Sequence, residues 1–224
     1  IYESAFRRPS DHILVVGQPR NDIFFDREGK FPVQHRLRNA ARGRKIILYA
    51  PTHRQEGRIP FPLEEHFDFQ RLNQWCQEHH AVFVIKRHFY HQEDPVDFSG
   101  YSNIADITDK SMDIQELLMD TDLLITDYSS TYIDYLLLDR PMVFYDFDYQ
   151  DYLRTDREMY YDYDDVTPGY KAETFWQLLD ELDLIFQGED QWREERRRVR
   201  DLFYCAQGQK AVGRKLLEFL KDIS

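Results

Sequence analysis

Asp122-Leu123-Leu124-Ile125-Thr126-Asp127-Tyr128-Ser129-Ser130-Thr131-Tyr132-Ile133-Asp134-Tyr135-Leu136-Leu137-Leu138 decides the fold. Leu123 to Ile125 is a short, unbroken apolar run, which is how a strand buried on both faces of a parallel sheet reads. A polar turn follows it. Ser130 to Leu138 then reads as a helix whose apolar face is Ile133, Leu136 and Leu137. Strand, polar turn and helix in that order form half of a β-α-β unit.

The same grammar extends in both directions. Ile13-Leu14-Val15-Val16, Ile46-Ile47-Leu48-Tyr49, Ala81-Val82-Phe83-Val84-Ile85 and Met142-Val143-Phe144-Tyr145 are further strand-length runs. Helical patterns at Phe67 to His79 and Ile114 to Met119 lie between them. The alternation predicts a Rossmann-like, doubly wound α/β sheet over 13–224, preceded by a linker or incoming edge at 1–12. From Tyr149 to Tyr170 the chain is dense in Asp and Tyr and reads as irregular structure with short helices. Helices are expected from about residue 171, at Ala172 to Phe186, Gln191 to Phe203 and Lys210 to Leu220, with no strand between them.

Composition narrows the class. Aromatics at 15% exclude a disordered chain, and a net charge of −12 argues against a nucleic-acid partner. Cys76 and Cys205 lie far apart and suit a reducing cytoplasm. The eight histidines have no zinc spacing, so neither a metal nor a cofactor is expected. No run approaches the roughly 20 apolar residues of a membrane span, and no signal peptide is legible. The chain begins with Ile1 rather than Met and reads as a fragment or a trimmed piece.

Ligands of open α/β sheets bind at the carboxyl ends of the strands. Four polar clusters fall there: Gly17 to Asp22, Ala50 to Arg54, Lys86 to His88, and Thr126 to Thr131. In the last, Ser129, Ser130 and Thr131 stand where a helix begins, and unpaired N–H groups at such an end favour phosphate. An ordinary serine cap is the alternative, and the segment alone leaves both open. Asp127 precedes the serines. Asp134, one turn on, is read either as a solvated residue or as a ligand to a ribose or acceptor hydroxyl. Lys86 and His88 supply a cation and a proton donor, with a basic surface turn as the alternative. His53 and Arg54 offer the same chemistry from the neighbouring strand, and Arg20 is a third phosphate or substrate contact. The run from Arg193 to Arg200 reads as a solvated helix with internal ion pairs, contact with anionic lipid being the other reading.

In this order the segments resemble the CDP-glycerol glycerophosphotransferase family of teichoic-acid and capsule polymer enzymes. Gly17-Gln18-Pro19-Arg20-Asn21-Asp22 resembles its G-x-P-R-x-D element. Tyr49-Ala50-Pro51-Thr52-His53-Arg54 is similar to Y-A-P-T-x-R, and Lys86-Arg87-His88 to K-x-H. Asp113 to Leu118, Asp122 to Ser130, Asp134, Arg140-Pro141 and Gly208-Gln209-Lys210-Ala211 continue the match. One local departure is Phe89-Tyr90, where the family has Pro after the histidine.

The resemblance implies a GT-B architecture of two Rossmann-like domains, of which this chain matches the C-terminal, donor-binding one. The N-terminal domain, which contributes the acceptor side and a general base in the family, has no counterpart in this sequence. The implied reaction is attack of a polyol-phosphate or sugar hydroxyl, lipid-linked acceptors included, on the β-phosphorus of a CDP-linked polyol. Glycerol phosphate is the implied group transferred. Ser129, Ser130, Thr131, Arg54 and Lys210 would hold the donor phosphates, and His88 would stabilise or protonate the phosphate in flight. Asp109 to Ile114, including Asp113, would lie near the cytidine or ribose. A cytoplasmic setting follows, with peripheral contact at the inner face of the membrane. A sugar-nucleotide glycosyltransferase on the same scaffold, or a donor-binding module inactive without its other domain, are the rival readings.

Overall fold

The computed structural model describes residues 7–13, 15–26, 29, 31–54, 62–88, 96–108, 111–155, 160–204 and 211–222. Six strands form one sheet: β1 Lys45–Tyr49, β2 Ala81–Ile85, β3 Ile104–Asp106, β4 Leu123–Thr126, β5 Met142–Tyr145 and β6 Tyr170–Ala172. Their order is β3-β2-β1-β4-β5-β6, and every pair is parallel. The helices are α1 Arg36–Ala41, α2 Phe69–Glu78, α3 Ile114–Asp120, α4 Thr131–Tyr135, α5 Tyr149–Thr155, α6 Tyr163–Val166, α7 Phe175–Phe186, α8 Arg193–Phe203 and α9 Gly213–Asp222.

The central strands are apolar at successive positions because both faces are covered. Ile47, Tyr49, Phe83, Ile85, Ile125 and Val143 pack beneath α2 and α7, against Leu72, Trp75 and Leu178. Their neighbours Ile46, Leu48, Val82, Val84, Leu124 and Phe144 face the other layer, with Leu117 of α3, Tyr135 of α4 and Val199 of α8. Fully burying a side chain of this size stabilises by roughly 1.5–3 kcal/mol, so the paired layers dominate the stability. Helix starts follow local chemistry. The Asp68 carboxylate accepts the Arg71 N–H at 2.9 Å ahead of α2, and Thr174 and Gln177 form a capping box on α7.

Four of the five expected strands are present. The fifth is not: Ile13 and residues 15–16 lie outside the sheet, and Val15 is 58% exposed. Leu14 lies outside the described residues. Short apolar runs do not distinguish a sheet strand from an extended segment on the surface. The cluster from Gly17 to Asp22 therefore sits on a 3-10 turn, Pro19–Phe25, rather than after a strand. Two strands escaped the sequence reading. β3 and β6 have three residues each and lie at the sheet's edges, where Asp106 and Lys171 break the apolar pattern. The helical end therefore begins after β6, at Phe175 and not at about residue 171, and α7, α8 and α9 follow it as expected. Residues 7–12 are exposed, with one 3-10 turn at Ser10–His12.

Candidate functional site

The strand order reverses between β1 and β4, which makes the crevice at their carboxyl ends the switch point of the sheet. There the Thr126 hydroxyl donates to the Ala50 carbonyl at 2.7 Å, and the Ala50 N–H to the Ile125 carbonyl at 2.9 Å. Asp127 sits in the crevice, 1% exposed. Its Oδ1 accepts the N–H groups of Thr52 at 2.8 Å and of Tyr128 at 2.6 Å, and its Oδ2 accepts Arg54 Nη2 at 2.9 Å.

Arg54 is buried as well. Its Nε donates to Asp148 Oδ2 at 2.6 Å, its Nη2 to Asp148 Oδ1 at 2.9 Å, and its Nη1 to the Thr52 carbonyl at 2.6 Å. Burial alone would weaken the guanidinium's hold on its proton. The two carboxylates outweigh that and raise its pKa further, so the charge stays in place. An unpaired charge at this depth would cost several kcal/mol, roughly, which explains the two acidic partners. Tyr128 lies over the group, its ring stacked on Tyr152 at 3.9 Å and its hydroxyl donating to Asp148 Oδ1 at 3.0 Å.

The serine turn begins at the next residue. The Ser129 hydroxyl accepts the Thr131 N–H at 3.3 Å and donates to the Thr131 hydroxyl at 2.9 Å. Ser130 occupies the cap position of α4, is exposed, and makes no side-chain capping bond. The two serines therefore differ: Ser129 shapes the turn and Ser130 faces solvent.

Across the switch point, His53 from the end of β1 and His88 from the end of β2 lie with ring centroids 4.5 Å apart. The sequence put them in separate clusters, and the fold brings them together. Lys86 Nζ donates to the carbonyls of Ile107 and Thr108, at 3.3 Å each, and Arg87 is buried on Asp106 at 3.0 Å. Phe89 and Tyr90 lie outside the described residues, as do Asp109 and Lys210.

Asp134 is 4% exposed and is the centre of a second network. Its carboxylate accepts Arg20 Nε at 3.1 Å, Asn21 Nδ2 at 2.7 Å, Gln115 Nε2 at 3.2 Å and the Tyr204 hydroxyl at 2.7 Å. Asp134 is therefore buried among these donors and not solvated. Asp22 accepts the N–H groups of Val212 and Gly213, both at 2.7 Å, and so tethers the start of α9. Asp113 caps α3 by accepting the Gln115 N–H at 2.8 Å. On α8, Arg197 pairs with Glu194 at 2.9 Å and Arg198 with Glu195 at 2.6 Å, the expected intrahelical ion pairs.

Sequence reasoning missed Asp148. It lies just ahead of the Asp/Tyr-dense stretch and in no motif, 94 residues from Arg54. Its one sequence signal is its place two residues after a strand-end Asp.

A six-stranded parallel sheet in this order, with a helix-start serine turn and two imidazoles at the switch point, defines a Rossmann-like α/β domain. The chain belongs to the CDP-glycerol:poly(glycerophosphate) glycerophosphotransferase family, whose model matches residues 1–220. It is 37% identical over 183 residues to the teichoic acid poly(ribitol-phosphate) polymerase of Bacillus spizizenii, covering 80% of this chain and 29% of that protein. It is 32% identical over 209 residues to the teichoic acid glycerol-phosphate transferase of Staphylococcus aureus, covering 88% of this chain and 51% of that one. Among solved structures it matches the wall teichoic acid polymerase TagF with a TM-score of 0.79 at 30% identity, over 99% of this chain and 55% of TagF. A TagF variant soaked with CDPG matches equally, with a TM-score of 0.79 at 30% identity over 100% of this chain and 55% of that one. The expected GT-B type of fold is thereby established. The chain spans about half or less of the curated relatives it matches.

Proposed function

We propose that this chain supplies the donor site for transfer of a polyol phosphate, foremost glycerol phosphate, from a CDP-activated donor to a hydroxyl acceptor, building a teichoic-acid-like or capsular polymer. The observation that carries the reading is the Ser129–Thr131 turn held at the switch point, with the His53–His88 pair on the adjoining strand ends. Family membership and the CDPG-soaked TagF structure support the same donor class.

In this reading the acceptor oxygen forms a bond to the β-phosphorus as the bond to the bridging oxygen breaks, and CMP leaves. The acceptor proton goes to a base on the facing domain, and the chain's own contribution is positioning and charge stabilisation. Ser129, Ser130 and Thr131 hold the diphosphate, with His88 poised to stabilise or protonate the phosphate in flight. Arg54 and Asp134 take bracing roles, because their polar atoms are engaged inside the protein. Lys210 and the segment from Asp109 stay with the donor, and Arg20 reaches the site from Asp134. A cytoplasmic setting with peripheral membrane contact belongs to the same reading. Its support is the exposed face of α9, where Leu217 and Leu220 stand beside Arg214 and Lys215. Among the described residues no helix is long and apolar enough to cross a membrane.

Titration calorimetry with CDP-glycerol, CDP-ribitol, CDP and UDP-sugars tests the donor. The reading expects heat with the cytidine ligands; binding confined to UDP-sugars overturns it in favour of a glycosyltransferase. Turnover with and without a second, acceptor-side domain separates an enzyme half that needs its partner from a module that binds without reacting.

A further inference from the structure

The loop after β5 reaches across the switch point and grips both residues that precede the serine turn. Asp148 accepts two bonds from Arg54, which in turn holds Asp127, and it also accepts the Tyr128 hydroxyl at 3.0 Å. Arg54 Cζ lies 5.1 Å from the centroid of the Tyr128 ring and 5.4 Å from that of Tyr152, so the guanidinium sits against this stacked ring pair as well as being paired with acids. We propose that Asp148 is a positioning residue for the donor site, fixing the Ser129–Thr131 turn through Arg54 and Tyr128 without touching the donor.

Charge supports this assignment. Asp127, Arg54 and Asp148 together carry two carboxylates and one guanidinium, a net negative charge beside the place proposed for a diphosphate. A second acid there works against phosphate binding unless it does something else. What it does is visible in the geometry. Asp127 alone accepts Arg54 through a single nitrogen, Nη2, whereas Asp148 takes Nε and Nη2 together and sets the plane of the guanidinium. The bracing spans three strand ends: Arg54 after β1, Asp127 and Tyr128 after β4, and Asp148 after β5. Without Asp148, Arg54 keeps one carboxylate and Tyr128 loses its acid partner. The turn that follows then loses one of its braces and is left with the bonds of Asp127 Oδ1 to the Thr52 and Tyr128 N–H groups. A group positioned this way acts on the site before any ligand arrives.

Two measurements test it, and only the second rests on the donor-site reading. The first is amide hydrogen exchange on the ligand-free protein. Asp148→Ala is expected to speed exchange at Ser129, Ser130 and Thr131 by at least about tenfold while β1 amides keep their wild-type rates. Unchanged exchange at the turn in a folded Asp148→Ala protein overturns the proposal. If that variant does not fold, Tyr128→Phe removes one of the Asp148 contacts while keeping the ring on Tyr152, and it is read in the same way.

The second is a double-mutant cycle on CDP affinity with Asp148→Ala and Ser129→Ala, two residues with no shared contact. Each single change is expected to weaken binding by about tenfold, and the pair by little more than either alone. Fully additive losses overturn positioning, since they make the two residues independent. If the wild-type chain binds no CDP, the donor-site reading fails, and exchange at the turn alone decides the role of Asp148.

Discussion

The Tyr204 hydroxyl donates to Asp134 Oδ1 at 2.7 Å, joining the end of α8 to the helix that starts at the serine turn, 70 residues earlier. Tyr204 is buried, and its hydroxyl also receives Asn21 Nδ2 at 3.0 Å. Burial and the neighbouring Asp134 push its pKa up, so it stays a donor throughout the neutral range. Tyr204→Phe leaves Asp134 with one donor fewer, and a loss of about 1–2 kcal/mol is expected. Asp134→Ala strands the buried donors of Asn21, Gln115 and Tyr204 at once and should cost more, about 3 kcal/mol. Urea denaturation of both variants gives the order.

Asp146, at the end of β5, has a pKa raised to about 6, with burial as the largest cause. A carboxyl raised in the folded state binds its proton more tightly there than in the unfolded chain. Its contribution is therefore favourable at acid pH and is lost as pH rises from about 4 through about 6. Asp146→Asn removes that dependence. At pH 7.5 the variant should match or exceed the wild type, by about 1 kcal/mol after allowance for partial solvation, and the advantage should vanish near pH 4. Thermal unfolding across that range reads the difference.

Gly169 enters β6 against the neighbouring strand. A Cβ there would lie 2.6 Å from the Met142 carbonyl oxygen and 2.9 Å from Met142 Cγ. The backbone oxygen cannot yield without moving β5. Gly169→Ala should cost about 1–3 kcal/mol, with the damage confined to the β5–β6 edge by hydrogen exchange.

The role proposed for His88 lies in the chemistry and not in donor binding. In a protein that turns over, His88→Ala should lower kcat by about 100-fold or more, with donor affinity changing far less. His53→Ala, which removes the ring 4.5 Å away, should give a smaller loss of the same kind. A His88 variant with unchanged kcat would remove it from the reaction.

Much of the sheet was legible because the strands at Ile46, Ala81, Leu123 and Met142 are covered on both faces, and two-sided burial writes an uninterrupted apolar run. The same signal misled at Ile13, where a segment outside the sheet has the same composition. Edge strands of three residues are too short to have a period, which hid β3 and β6. The clusters after β1, β2 and β4 were legible because they stand beside strand ends, whereas Gly17 to Asp22 follows no strand. Their internal wiring was not. No local rule says that Arg54 turns toward Asp148, or that His53 meets His88, because those contacts span 94 and 35 positions, the latter being 88 minus 53. A basic residue after a strand reads as a phosphate contact until its carboxylates are found.

The central claim, that the serine turn seats the donor diphosphate, is tested most directly by calorimetry of CDP binding to the wild type and to the Ser129→Ala/Ser130→Ala double variant. The account predicts clear binding to the wild type and a loss of about tenfold or more in the folded variant, two phosphate donors being worth roughly 1 kcal/mol each. An equal affinity in the two proteins would put the diphosphate elsewhere and contradict the account.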